Sequence, residues 1–245
     1  MSARRTLAVT ARVLNQVRRD PRTLAMLLLV PCLLMVLLWW MYRSSPVSLF
    51  DRIGPALLAI FPFVVMFLVT SVTTLRERSS GTLERLLAMP LAKLDFLLGY
   101  GLAFGLVAAV QSLVAVGVSV GLLGLDVTSV AQLLLVAVAD AVLGCALGLF
   151  VSAFANTEFQ AVQFMPALVV PQILLCGLFV SRDDLPDVLH AISDVLPLSY
   201  AVDAMKHLTS GATTSGSVWV DLVVVVAYVV AGLALGAATL RRRTP

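Results

Sequence analysis

Charged side chains are scarce in this sequence. Only 13% of its 245 residues are Asp, Glu, Lys or Arg, whereas a soluble domain carries about 25%. Hydrophobic residues make up 60% of the chain, and the mean hydropathy is +1.00. This composition excludes an ordinary soluble domain, and the chain is predicted to be an integral membrane protein.

Cysteine and histidine are also rare. The three cysteines, Cys32, Cys145 and Cys176, lie inside apolar runs, where they are interpreted as small hydrophobic residues. His190 and His207 are the two histidines, and their positions give no metal-ligand spacing or disulfide framework. We therefore expect neither a metal site nor a cofactor bound by this chain.

Lysine occurs in a pattern that argues against ATP binding. A P-loop requires a lysine directly after a glycine so that its ammonium reaches the phosphates. The two lysines, Lys93 and Lys206, instead follow Ala92 and Met205. The chain is not expected to be an enzyme.

Long apolar runs dominate what is present. A membrane-spanning helix needs about 20 apolar residues, and helices satisfy their own backbone hydrogen bonds in lipid. No small-residue cleavage site follows the first run, so it is predicted to be an uncleaved span. The predicted class is an all-α membrane protein with six transmembrane helices, at about residues 24–41, 55–75, 97–125, 130–154, 161–180 and 218–240.

Arginine and lysine predict the orientation through the positive-inside rule. With the N-terminus inside, the inner segments carry six, four, none and three basic residues, which makes 13. The outer segments carry four, namely Arg43, Arg52, Arg182 and Lys206. Both termini are therefore predicted to be cytoplasmic.

Two cytoplasmic segments carry amphipathic patterns. Residues 4–20 are predicted to form a surface helix with Leu7 and Ala11 on its apolar side and Arg12 on its polar side. Residues 76–96 join the second and third spans, and within them "TLERLLAM" predicts a short helix. Such a helix could dock on a partner or lie on the bilayer; alternatively, its charges only anchor the loop, and the basic N-terminus only sets topology.

Polar residues within the apolar runs are candidates for a substrate pathway. Asp140 lies near the middle of the fourth span, where a carboxylate is costly and is by default a functional candidate. Gln111, Gln163 and Gln172 are milder cases. Each of these side chains could instead form a structural hydrogen bond to a neighbouring helix.

Glycines also recur four residues apart within the runs. Small residues at this spacing allow close helix packing in lipid. The pairs are Gly101/Gly105, Gly117/Gly121, Gly144/Gly148 and Gly232/Gly236. The outer segment, residues 181–217, is rich in Asp and is predicted to form one or two short helices that reach back toward the membrane.

Two stretches resemble the permeases of ABC-2 type transporters. These are "LRERSSGTLERLLAMPLAKLDFLLGYGLAF", residues 75–104, and "VLPLSYAVDAMKHLTSG", residues 195–211. The resemblance covers nearly the whole chain and is nearest to the drug- and antibiotic-export branch common in actinobacteria. Where relatives often have Gly-Lys near the start of the third span, this sequence has Gly99-Tyr100.

The resemblance implies a dimer of six-helix halves that sits on two ATP-binding subunits, in a bacterial plasma membrane. ATP and magnesium would then bind to those partner subunits. The loop after the second span would be the coupling element that contacts the ATPase, and a re-entrant element would cap the outer end of the pathway. The residues that match the family pattern in that loop are Arg76, Glu77, Arg78, Gly81, Thr82, Glu84 and Arg85.

The expected function is therefore a permease subunit of an ATP-driven exporter. Its substrate would be hydrophobic or amphipathic, such as a drug, an antibiotic or a lipid-like molecule. The alternative is a secondary transporter or channel coupled through Asp140. The secondary transporter or channel is disfavoured because the sequence offers only one intramembrane carboxylate for coupling and shows no inverted repeat.

Overall fold

The chain is all-helical in the residues that the computed structural model describes, which are 3–43, 49–80, 93–209 and 215–239. Six of its helices are long and apolar enough to cross a membrane, which confirms the predicted class. The helices are α1 (Ala3–Arg18), α2 (Pro21–Tyr42), α3 (Leu49–Ser79), α4 (Lys93–Gly121), α5 (Val130–Ser152), α6 (Glu158–Leu175), α7 (Asp187–Val195), α8 (Pro197–Thr209) and α9 (Ser215–Thr239).

The spanning helices have bounds that differ from the hydropathy runs. Helix α3 begins at Leu49 and ends at Ser79. Polar residues at both ends thus extend the helix beyond the predicted apolar run, 55–75. Helix α6 ends at Leu175, short of the predicted residue 180. Gly177 has a φ of 86° there, and this left-handed conformation directs the chain away from the helix axis.

Helices α3 and α5 form the centre of the bundle. In each, 61% of the most apolar 18-residue window is buried, against 17% in α2 and α6. Gly144 and Gly148 of α5 meet α3 closely, since a Cβ added at either would lie 2.4 Å from the carbonyl oxygen of Phe63 or Phe67, respectively. The absence of side chains at these two positions permits that approach.

The other glycine pairs behave differently although their spacing is the same. A Cβ at Gly232 of α9 would lie 3.2 Å from Ala146 of α5, so this position also serves packing within the chain. At Gly101 and Gly117 of α4 an added Cβ would meet no atom within 4 Å. Close packing within the chain therefore involves only part of the predicted set.

Helix α1 packs on α4 through a face that differs from the predicted one. Its buried residues are Thr6, Val9, Thr10, Val13 and Val17, whereas Leu7 is 61% exposed. Thr10 tolerates burial because backbone oxygens accept its hydroxyl proton. The Thr10 hydroxyl lies 3.1 Å from the Gly99 carbonyl and 3.0 Å from that of Thr6. Of the predicted apolar side, Leu7 and Ala11 face outward, whereas Val17 is buried.

Short helices cover the end of the bundle that lies opposite α1. Helices α7 and α8 follow a 3-10 turn at Arg182–Asp184, and α8 packs against α3, α5 and α9. The backbone N–H of Thr128 donates to the Leu208 carbonyl at 2.8 Å, which ties the α4–α5 connection to α8. The outer segment is thus partly embedded in the bundle.

A candidate coupling site at the end of α3

Three of the predicted coupling residues occupy the last turn of α3. Arg76, Glu77 and Arg78 continue the helix up to Ser79, and two cations in a last turn suit the negative end of the helix dipole. The other four candidates, Gly81, Thr82, Glu84 and Arg85, lie outside the described residues.

Arg76 contacts the first turn of α6. Its guanidinium forms two hydrogen bonds with the Glu158 carboxylate, from Nε to Oε1 and from Nη2 to Oε2, each at 3.0 Å. Thr157 caps the same helix start by accepting from the Gln160 N–H at 3.2 Å. Both charged side chains are at least half exposed, so this pair contributes less than about 1 kcal/mol to stability.

Arg78 contacts the C-terminal end of α5. Its Nη1 donates to the carbonyl oxygen of Ser152, the last residue of α5. A guanidinium at this place satisfies a carbonyl that the helix leaves without an internal partner. Arg78 thereby joins the ends of α3 and α5.

Glu77 is the buried member of the triplet. It is only 5% exposed, and its Oε1 lies 3.8 Å from Nη2 of Arg12 in α1. Arg12 is 37% exposed, so water weakens the pair, and its contribution lies below the roughly 3–5 kcal/mol that is typical of breaking a fully buried pair. Loss of Arg12 would still leave the buried Glu77 carboxylate without its opposite charge. The Glu77 contact therefore matters more to stability than the exposed Arg76 pair.

Consecutive residues of α3 thus reach three different helices. We define the α3-end cluster as these six residues: Arg12, Arg76, Glu77, Arg78, Ser152 and Glu158. Through it, the end of α3 contacts α1, α5 and α6. The chain continues from this cluster directly into the segment that carries the remaining coupling candidates.

Sequence reasoning missed half of this cluster. Arg12 was assigned only to the polar side of a surface helix, while Ser152 and Glu158 carried no prediction. Thr157 followed by Glu158 is a capping pattern that could have marked the start of α6. No sequence signal identifies the carbonyl of Ser152 as an acceptor.

The candidate pathway residues are not assembled into one site. Gln111 donates to the Leu27 carbonyl at 3.2 Å, and Gln172 accepts from the Leu198 N–H at 3.4 Å, so each links its own pair of helices. Gln163 lies on the exposed side of α6. Asp140 is fully buried, and neither carboxyl oxygen has a hydrogen-bond partner among the described residues.

At the end of the bundle opposite the α3-end cluster, Arg182 connects the short helices α7 and α8. Its guanidinium pairs with Asp194 and Asp203 and lies 5.2 Å from the centre of the Tyr200 ring. Burial acts to lower the pKa of Arg182, but the two carboxylates outweigh it, so the pKa lies above its usual value. This arrangement fixes α7 and α8 against the 3-10 turn.

Comparison with known proteins gives a consistent result. The family model described as ABC-2 type transporter matches residues 4–208. ABC transporter G family member 20 of Dictyostelium discoideum is 25% identical over 194 residues, which is 77% of this chain and 26% of that protein.

Two relatives from Escherichia coli K12 are named probable multidrug ABC transporter permeases. YbhR is 26% identical over 171 residues, covering 69% of this chain and 46% of the relative. YbhS is 26% identical over 193 residues, which is 78% of this chain and 50% of the relative. The chain thus matches at most half the length of these relatives.

Proposed function

The chain belongs to the ABC-2 type transporter family, and we propose that it is the permease subunit of an ATP-driven exporter. It is a multi-pass membrane protein with six helices suited to span a bilayer. In the proposed complex, two copies of a separate ATP-binding subunit hydrolyse ATP, and a second permease half completes the pathway. The substrate class is hydrophobic or amphipathic, which accords with the names of the two Escherichia coli relatives.

The observation that carries the proposal is the α3-end cluster. It directly precedes, in the sequence, the segment that would contact the ATPase, and its residues contact α1, α5 and α6. Gly81, Thr82, Glu84 and Arg85 are proposed to form the contact itself. Arg76, Glu77 and Arg78 would transmit the resulting movement, since their described contacts are to other helices of this chain.

Crosslinking tests where the ATPase binds. Ser79 is exposed at the end of α3, and Asp183 is exposed at the opposite end of the bundle. A Ser79→Cys variant should crosslink to a co-purified P-loop subunit through a short thiol-to-amine reagent, whereas Asp183→Cys should not. Crosslinking from Asp183→Cys but not from Ser79→Cys would show that the orientation and the coupling site are both wrong.

The pathway is proposed to run between the two permease halves. Gln163 supports this arrangement because it places an exposed amide on α6 close to the apolar Val162 and Leu168. Lipid chains cannot satisfy the hydrogen bonds of an amide, but a second half or a polar part of the substrate could. Asp140 favours the alternative of coupling through an intramembrane carboxylate, because it is buried without a described hydrogen-bond partner.

Replacing Asp140 by Asn separates these two functions. Asparagine has nearly the same size, and no described hydrogen bond to the carboxyl is lost, so we expect insertion and ATP-driven transport within about twofold of wild type. The measurement is export from inverted vesicles at several pH values, with and without a collapsed proton gradient. Transport that needs the gradient and disappears in Asp140→Asn would favour the secondary transporter.

A further inference from the structure

A cavity of about 260 Å³ lies at the end of the bundle opposite the α3-end cluster. At about 30 Å³ per water molecule, this volume accommodates a small polar group of several atoms. Three parts of the chain form it: the first turn of α3, the turn after α6 and the end of α8. Its lining residues are Asp51, Arg52, Pro55, Gly177, Leu178, Phe179, Ser181, Lys206 and Thr209.

The cavity holds two cations and one carboxylate. Arg52 and Asp51 come from the first turns of α3, and Lys206 comes from α8. Within the described ranges, no carboxylate lies within 4.0 Å of either cation. The cavity also lies at the N-terminal end of α3, where the helix dipole favours an anion.

Lys206 is held in the cavity by the turn after α6. Its ammonium donates to the Gly177 carbonyl, and a Cβ at residue 177 would lie only 2.9 Å from Nζ. Glycine therefore permits both the left-handed turn and the approach of the lysine. Burial lowers the pKa of Lys206, and Arg52 and Arg182 act in the same direction against the opposing charge of Asp203.

One side of the cavity rim is apolar. Phe179 is 67% exposed and adjoins the exposed Val180. Trp39, Trp40 and Tyr42 lie in the last turn of the neighbouring span α2, and such aromatic residues are enriched where lipid headgroups begin. The site thus combines a cationic interior with an apolar margin.

We propose that this cavity binds the phosphate of a membrane lipid headgroup, with Arg52 and Lys206 as the phosphate ligands and Phe179 against the acyl chains. Arg supplies a planar pair of donors and Lys a compact charge, and both suit phosphate oxygens. The inference does not depend on the export function, because a bound lipid could equally secure the cap formed by α7 and α8.

Lipid binding can be measured on the full chain, purified and delipidated in detergent, by native mass spectrometry. Phosphatidylglycerol is the probe, diacylglycerol is the lipid without phosphate, and inorganic phosphate is the anion without acyl chains. We expect Arg52→Gln and Lys206→Gln each to weaken phosphatidylglycerol binding about tenfold, as for the loss of one charge-assisted hydrogen bond. Arg43→Gln is the matched control, since Arg43 lies at the same end but outside the cavity and stacks on Trp39.

Each outcome bears on the assignment. Selective loss in Arg52→Gln, which alters an exposed side chain and leaves the Lys206 hydrogen bond intact, supports it even if Lys206→Gln folds poorly. Equal affinity for diacylglycerol would overturn phosphate recognition. Equally strong competition by inorganic phosphate would overturn the lipid assignment, and unchanged binding in both variants would overturn the site.

Discussion

Replacing Gly148 by leucine should prevent the chain from accumulating in its folded form. A Cβ at this position would lie 2.4 Å from the carbonyl oxygen of Phe67, a main-chain atom that cannot move without shifting α3. Overpacking a core by a methylene already costs about 1–3 kcal/mol, and a leucine side chain is much larger. Because α3 and α5 form the centre of the bundle, the effect reaches the whole fold.

Gly117→Leu provides the matched control. Gly117 lies on the exposed side of α4, and an added Cβ there meets no atom within 4 Å. Labelling of the buried Cys145 and Cys176 thiols on heating in detergent reports unfolding. The smaller change Gly148→Ala should lower the temperature at which half of the thiols become labelled, whereas Gly117→Ala should leave this temperature unchanged. An unchanged temperature in Gly148→Ala would contradict the close packing of α3 on α5.

The number and type of the spans could be predicted from the sequence because the bilayer imposes them. A backbone in lipid must form its own hydrogen bonds, so about 20 apolar residues in a row leave little choice but a helix. Helix ends are less constrained. Residues 76–79 are polar, yet they continue α3, because the contacts of Arg76 and Arg78 with α6 and α5 compensate for leaving the apolar stretch.

Helix faces were harder to predict than helices. Sequence periodicity identifies which residues share a side, but it does not identify the neighbour that the side meets. Leu7 was expected on the apolar side of a surface helix, and the structure leaves it exposed while it buries Thr6 and Thr10 against the rest of the chain. At a membrane surface an exposed leucine can contact lipid, while a small threonine fits against Gly99 and donates to its carbonyl.

The α3-end cluster could be predicted only in part for the same reason. The Arg-Glu-Arg triplet is visible as a dense group of charges in a chain with few of them. Its partners lie far along the chain, however, since Arg78 and Ser152 are 74 residues apart. Only the three-dimensional arrangement shows that the triplet joins helices of the same chain.

Reversing the charge at Glu77 should nearly abolish transport while the ATPase remains active. Glu77 is 5% exposed and lies 3.8 Å from Arg12, so Glu77→Arg buries a cation beside a second cation that water screens only in part. An uncompensated buried charge costs up to about 3–5 kcal/mol, and the partial exposure of Arg12 lowers this cost, so we expect the contact between α1 and the end of α3 to be weakened. The measurements are substrate export and ATP hydrolysis by the reconstituted complex, compared at equal amounts of inserted permease.

An exchange of charges distinguishes a specific pair from general damage. Arg12→Glu combined with Glu77→Arg restores an opposite-charge pair and should recover a substantial part of transport, which a double-mutant cycle quantifies. Arg5→Glu is the matched control, because it reverses a charge on an exposed residue of the same helix and should change export little. If Glu77→Arg transports like wild type, the α3 end does not transmit movement through α1. If the double variant recovers nothing although it inserts normally, Glu77 acts through groups other than Arg12.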